Sequence, residues 1–293
     1  MPACRRYARR AMAGSPPGCL MIFLSSLEFL MVHRYWPDLV KPRTFSEKIW
    51  SRMLFDRDLR WILLSDKLQA RSYVAKRAGN EYLVPLLWSG RDPDRIPWER
   101  LPSKFVIKTT HGCGYNLIVR DKSRLDPETA RRQTRKWLGT NYGETFGLGT
   151  EWCYRHIPPS IIVEEFLEED GRSVPDYKFW CFSGRVECLT VHLNRHGAHA
   201  TQTFDRDFKP YIYAFPLADS GQSVQPPPNY EDMVRTAETL AGGIDFIRVD
   251  MYNVRGRIFA GEFTVYPGGG FIRFLPHELD AALGAKWPSN EVP

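Results

Sequence analysis

Long hydrophobic runs are missing from this 293-residue sequence. Nowhere do about 18 uncharged apolar residues follow one another, which excludes a polytopic membrane protein. Cysteines are few (Cys4, Cys19, Cys113, Cys153, Cys181 and Cys188), with no C-x-x-C pair and no metal spacing. In a chain this long they read as reduced, mostly buried thiols of a cytoplasmic protein. Also absent are a G-x-x-x-x-G-K-[ST] phosphate loop, an H-E-x-x-H zinc motif, an internal repeat and any low-complexity tract. What is present is globular in character. An apolar fraction of 43% with 13% aromatics excludes disorder. Lys and Arg number 40 against 34 Asp and Glu, giving +6. That surplus suits phosphate or another acidic small ligand; it does not by itself mean nucleic acid, and none is expected as a partner.

Part of the surplus sits in the opening stretch, where Arg5, Arg6, Arg9 and Arg10 precede the apolar residues 19–24 and 27–32. Ser25, Ser26 and Glu28 break the run, and no A-x-A-like site follows it, which disfavours a cleaved signal peptide. An amphipathic or core helix is the first reading. A basic helix lying on an anionic membrane surface is the second. From Thr44 to Ala78 apolar residues recur at helical spacing, as at Phe45, Ile49 and Met53. Residues 90–102 are rich in proline and charge and read as a surface connection. The period then changes: Lys104 to Thr110 and Leu117 to Arg120 are short strands around the turn residues His111-Gly112-Cys113-Gly114. Asp126-Pro127-Glu128 opens a helix, and 159–167, 176–182 and 186–193 read as strands. Residues 230–241 read as a helix, and 246–252 with 257–266 as a final hairpin. Helices first, then antiparallel strands with interleaved helices, predict an α+β protein.

The final hairpin carries the sharpest chemistry. A three-residue loop, Val254-Arg255-Gly256, would pair Asn253 with Arg257 and Arg248 with Glu262. It would put Arg248, Asp250, Glu262 and Thr264 on one face, with Ile247, Val249, Met251, Phe259 and Phe263 on the core face. Asp250 and Glu262 would be diagonal neighbours, close enough to share a Mg2+ ion. Two further constellations are weaker. Lys108 ends an apolar strand, where its amine must snorkel or meet an anion, and Gly112 to Gly114 would let backbone N–H groups approach phosphate oxygens. The apolar strand Ile161-Ile162-Val163 runs into Glu164 and Glu165, and Asp176 and Lys178 share one face of the next strand.

Taken in order, these elements resemble the ATP-grasp superfamily, and within it the TupA-like group associated with teichuronopeptide and other surface-polysaccharide synthesis. The resemblance rests on Pro42-Arg-Thr-Phe-Ser-Glu-Lys-Ile49, Asp66-Lys67, Pro175-Asp-Tyr-Lys-Phe179 and Gly261-Glu-Phe-Thr264, and covers roughly Arg43 to Gly284. It implies an ATP-grasp fold, antiparallel sheets with flanking helices and ATP held between two lobes. The expected division is a basic helical segment (1–42), a helical region with the Asp-Lys element (43–102), a small lobe with Gly loop and hinge (103–183) and a C-terminal lobe with the metal site (184–293). By resemblance, Lys67 and Lys108 would reach ATP phosphates, and Gly112, Cys113 and Gly114 would form the lid over them. Glu164, Glu165 and Phe166 would be the adenine hinge. Asp176 would face the ribose and Lys178 the phosphates. Asp250 and Glu262 would hold Mg2+, with Thr264 where relatives such as D-alanine–D-alanine ligase carry a metal-binding Asn. Arg248 would steady an acyl phosphate, and Gly268, Gly269 and Gly270 would contact substrate.

The activity implied is a carboxylate–amine ligation driven by ATP and Mg2+, attaching an amino acid to a surface polysaccharide or its precursor. Positioning and cations would supply most of the catalysis, which agrees with the lack of a Ser/His/Asp or Cys/His set. A glycosyltransferase using Asp205-x-Asp207 is the competing enzyme class. A basic, peripheral scaffold that keeps the fold without chemistry is the non-enzymatic alternative. His192, His196 and His199 could suggest zinc, but their spacing matches no zinc motif.

Overall fold

The computed structural model describes residues 18–145, 151–193, 199–211 and 224–288. These fall into two compact units, one made of residues 57–168 and the other of 18–56 with 169–288. The units divide after 56 and after 168, where the expected cuts were 42, 102 and 183.

The first unit is built on a four-stranded antiparallel sheet with strand order β1-β4-β2-β3: β1 Leu86–Gly90, β2 Phe105–Thr109, β3 Asn116–Val119 and β4 Ile161–Glu165. Alternation along β2 sends Phe105 and Ile107 into a core with Ile161, Val163, Trp98 and Ala130. The helix Pro127–Leu138 starts where proline and capping chemistry require, with Asp126 accepting from the N–H groups of Glu128 and Thr129 at 3.1 Å each. The strand β1 escapes a sequence reading because it is a half-exposed edge with no alternation, running straight into Gly90. Residues 57–102 therefore belong with this sheet and not with the helix before them.

The second unit has a five-stranded antiparallel sheet of order β11-β10-β7-β8-β9. Its strands are β7 Asp176–Phe182, β8 Arg185–Leu193, β9 Ala200–Asp205, β10 Phe246–Val254 and β11 Arg257–Thr264. Between the two sheets the chain makes only the two-residue strands β5 (Glu168–Glu169) and β6 (Arg172–Ser173). Helix Tyr230–Ala241 packs on this sheet, with Tyr230 stacked 6.3 Å from Phe179. Helix Phe45–Phe55 joins the same unit. It opens with a capping box, Thr44 accepting from Glu47 N–H at 3.1 Å and Glu47 accepting from Thr44 N–H at 3.0 Å. Lys48 then donates to Gly284 O at 2.9 Å, and a Cβ on Gly284 would stand 2.1 Å from Arg43 O. The stretch Arg43-Thr-Phe-Ser-Glu-Lys48 is thus a clasp between this helix and helix His277–Lys286, which is why residues 43–56 go with the C-terminal part.

The β10–β11 hairpin corrects the expected register. Val254 pairs with Arg257, so the loop is the two residues Arg255-Gly256, both at positive φ (51° and 82°), the form that suits the twist of a hairpin. Arg248 faces Thr264, not Glu262, and Asp250 faces Glu262 directly. A two-residue loop alone would have turned Glu262 to the wrong side of the sheet. A bulge between Asp250 and Met251 restores the parity. Gly261 is the extra residue; a Cβ there would lie 2.7 Å from the Tyr252 ring and 3.2 Å from Asp250 O. Phe259 pairs with Tyr252 and so lies on the Asp250 side, not on the core face. It is buried there under the Arg257 guanidinium, 4.7 Å from the ring centre.

Candidate active site

Register places five charged groups together on one face of the second sheet. Asp250 is opposite Lys178 on β7 and opposite Glu262 on β11, while Tyr252 is opposite Asp176. Arg248 grips Asp250 with two bonds of 2.7 Å, Nε to Oδ1 and Nη2 to Oδ2, and its Nη2 also donates to Thr264 Oγ1 at 2.8 Å. Lys178 donates to Asp250 Oδ2 and lies 2.7 Å from Asp176 Oδ2. Asp250 is only 3% exposed. Burial alone would raise its pKa, but Arg248 and Lys178 overcome that and hold the carboxyl at about 2. The same pairing raises Arg248, against the desolvation that would lower it.

The formal charges of Asp176, Asp250 and Glu262 against Lys178 and Arg248 leave one negative charge on this face. Oxygen donors with surplus negative charge suit Mg2+ chemically. Among the described residues, however, no group of three or more His, Cys, Asp or Glu converges as a metal site. A magnesium ion would thus take one or two carboxylates from the protein, Asp250 and Glu262, and complete its shell with phosphate and water oxygens, as this ion commonly does. Thr264 sits on the same face with its hydroxyl serving Arg248.

A second polar cluster lies within the first unit. Glu164, buried on β4, receives Lys108 Nζ at 2.8 Å on one oxygen and Arg71 Nη1 at 2.6 Å on the other. Asp66 caps the helix Gln69–Arg77 through Leu68 N–H at 2.9 Å, which fixes Lys67 at the helix start. Lys67 donates to Gly112 O at 2.6 Å, so it is tied to the loop that follows β2. Lys108 and Arg71 against Glu164 leave one positive charge on that cluster, while Lys67 directly follows the buried Asp66. The loop is shaped by Gly114 at φ 76° and by Gly112, whose Cβ would press on Tyr115 and Tyr142 at 2.9 Å; Cys113 between them is exposed. Glu164 lies between Leu86 and Val106 within the sheet, so its side chain is what it offers. Glu165 N–H bonds Pro85 O at 3.1 Å, and Phe166 lies 5.1 Å under Arg120.

Of the glycines expected to touch substrate, Gly268, Gly269 and Gly270 form a turn in the second unit at φ 58°, 61° and 80°. Gly270 O accepts from Trp50 Nε1 at 3.0 Å and pairs with His33 Nε2 at 2.9 Å, which anchors that end in the core. Asp205 Oδ1 accepts from the N–H groups of Asp207 and Lys209 at 2.9 Å each, so the D-x-D is a self-satisfied turn. His192 and His199 pair at 3.0 Å, and His196 lies outside the described residues.

The TupA-like ATPgrasp family matches residues 47–287, most of the chain. The protein belongs to the TupA-like ATP-grasp family. Comparison with curated protein sequences finds no relative. Among solved structures, D-alanine–D-alanine ligase from Bacillus anthracis complexed with ATP is 14% identical (TM-score 0.44), over 77% of this chain and 63% of that one. L-amino acid ligase from Bacillus licheniformis is 16% identical (TM-score 0.43), over 70% of this chain and 43% of that one. The ATP-grasp ligase PsnB, complexed with a precursor variant, Mg and ADP, is 13% identical (TM-score 0.41), over 90% and 68%. The chain therefore spans less than two thirds of the length of the first two. Within the TupA-like frame the residue that sequence reading missed is Arg71. Its signal was its position four residues after Lys67, inside the helix that follows.

Proposed function

We propose that this TupA-like ATP-grasp protein is an ATP- and Mg2+-dependent carboxylate–amine ligase, modifying a surface polysaccharide or its precursor with an amino acid. The observation that carries this reading is Asp250, buried opposite Glu262 and held between Arg248 and Lys178. In the reaction, a substrate carboxylate oxygen attacks the γ-phosphorus of ATP and ADP leaves. An amine then attacks the acyl carbon, phosphate leaves, and the amine proton passes to solvent or to that phosphate. A bound magnesium ion would neutralise phosphate charge. Lys67, Lys108 and Arg71 would hold phosphates, with Gly112 to Gly114 approaching them through backbone N–H groups. Glu165 and Phe166 follow on as the adenine hinge and Asp176 as the ribose contact. Lys178 and Arg248, both held on Asp250, would stabilise the charge that develops on transfer. Gly268 to Gly270 are assigned to the acceptor.

The test is ADP release with panels of amino acids and hexuronates. Asp250→Ala and Glu262→Ala should each lower carboxylate-dependent turnover by about a thousandfold or more while circular dichroism stays native. Full turnover in either variant would exclude the ligase reading. Wild-type binding of ATP with no turnover for any carboxylate would point instead to a scaffold that keeps the fold.

A further inference from the structure

Helix Cys19–His33 is built inside out. Its fifteen residues include one charged side chain, Glu28, yet the residues it buries against the protein are Ser25, Ser26, Phe29 and His33. Two serines and a histidine face inward while Leu20, Phe23, Leu24 and Met31 are exposed, Leu20 by 71% and Met31 by 63%. Ser26 satisfies itself on Ile22 O at 2.9 Å, and Ser25 Oγ is buried without a partner. Burying hydroxyls while leaving leucines in water is the reverse of what folding against a single core would select. A helix apolar all round is stable when a second apolar environment covers its other side.

The exposed apolar surface extends beyond the helix. Of the ten exposed large hydrophobic side chains among the described residues, seven lie between Leu20 and Val40. Trp36, 55% exposed, folds back to 6.3 Å from the Phe23 ring, and Val40 is 70% exposed. Phe271, also exposed, adjoins through Trp50 and Phe29 at 5.7 Å each. The charges around this surface are mostly of one sign. Arg34, Lys41 and Arg43 are exposed. Asp38, the exposed acid among them, spends Oδ1 on the N–H groups of Val40 and Lys41. The sequence adds Arg5, Arg6, Arg9 and Arg10 just before the helix. At 1.5 Å per residue the helix is about 22 Å long, short of the roughly 30 Å of a bilayer's hydrocarbon. Among the described residues no helix is long and apolar enough to cross a membrane.

From the inverted helix and its cationic border we infer that this face docks on an anionic phospholipid surface, the helix lying in the plane of the interface. Leucine, phenylalanine and tryptophan enter the acyl–headgroup boundary, and the arginines and lysines meet anionic headgroups. Neutral lipid would lack the second attraction. A proteinaceous apolar groove would satisfy the first but would not call for the basic border.

The full chain should co-sediment with vesicles of phosphatidylcholine containing about 30% phosphatidylglycerol, and much less with pure phosphatidylcholine or at high salt. The double variant Leu20→Ser/Phe23→Ser should lose at least about tenfold in partition, since both side chains are largely exposed and their contribution comes from burial in lipid. Its thermal midpoint and nucleotide binding should match wild type, because Leu20 and Phe23 are both exposed and belong to neither the buried core nor the candidate site. Replacing Arg5, Arg6, Arg9 and Arg10 by Gln should weaken binding to anionic vesicles only. Three results would overturn the inference: no vesicle binding by wild type, equal binding by the double variant, or a dimer in sedimentation equilibrium that the double variant converts to monomer while vesicles stay unbound.

Discussion

The polar face of the five-stranded sheet and the polar side of the four-stranded one use the same materials and end with opposite leftover charge. Around Asp250 three carboxylates meet two cations; around Glu164 one carboxylate meets Arg71 and Lys108, with Lys67 tied to the adjoining loop. Pairing hides most of the charge in both places, and only the remainder is open to a ligand. Surplus negative charge among oxygen donors is the chemistry that suits a divalent cation. Surplus positive charge beside a glycine turn is the chemistry that suits phosphate. The difference teaches that the number of partners, more than the presence of any one residue, sets the charge each cluster leaves unpaired.

The comparison breaks most sharply at Asp250. Asp250→Asn removes the charge that two buried cations depend on, so it should abolish ADP release and also destabilise the fold, by about 3–5 kcal/mol in urea titration. Lys108→Met takes one charge from the other cluster while Arg71 still holds Glu164. It should raise the KM for ATP by about 10- to 100-fold with a smaller change in stability. Gly261→Ala asks whether the bulge is what keeps Glu262 opposite Asp250. A Cβ meeting both Tyr252 and Asp250 O should cost about 1–3 kcal/mol and weaken Mg2+-dependent nucleotide binding by calorimetry.

The mildest test contrasts two carboxyls of similar burial. Glu151, buried with no cation beside it among the described residues, is pushed up to about 7 by desolvation, whereas Asp250 is held at about 2. Between pH 4.5 and 7 the folded chain keeps the Glu151 proton that the unfolded chain loses, so its contribution to stability falls as pH rises through that window. Asp250 works the other way: its contribution is full above 3.8 and is lost as pH falls toward 2. Glu151→Gln should accordingly raise the thermal midpoint at pH 8 and leave it nearly unchanged at pH 4, a gain on the order of 1–2 kcal/mol.

Much of this was readable along the chain. Asp126-Pro127 marked its helix, and period-two alternation put Arg248, Asp250, Glu262 and Thr264 on one side of the final hairpin. Lys108 stood out because a lysine at the end of an apolar strand needs a partner, and Lys67 through the Asp66-Lys67 element of the family resemblance. The strand β1 did not show, since an edge strand carries no burial pattern to read. The hairpin register did not show either: loop length and bulge each shift pairing by one residue, and the two shifts cancel for Glu262 but not for Phe259.

By itself, then, the sequence determined most of the strands and helices and put Arg248, Asp250, Glu262 and Thr264 on one face, because periodicity and capping are local. The tertiary structure alone decided which cation answers which carboxylate. Lys178 and Asp250 are 72 positions apart, Lys108 and Glu164 are 56, and Arg71 and Glu164 are 93. The two lysine pairings follow from strand order and the Arg71 pairing from its helix, and they set the residual charge on each side. Coulomb forces between such groups depend on final distance and burial, which no local pattern encodes.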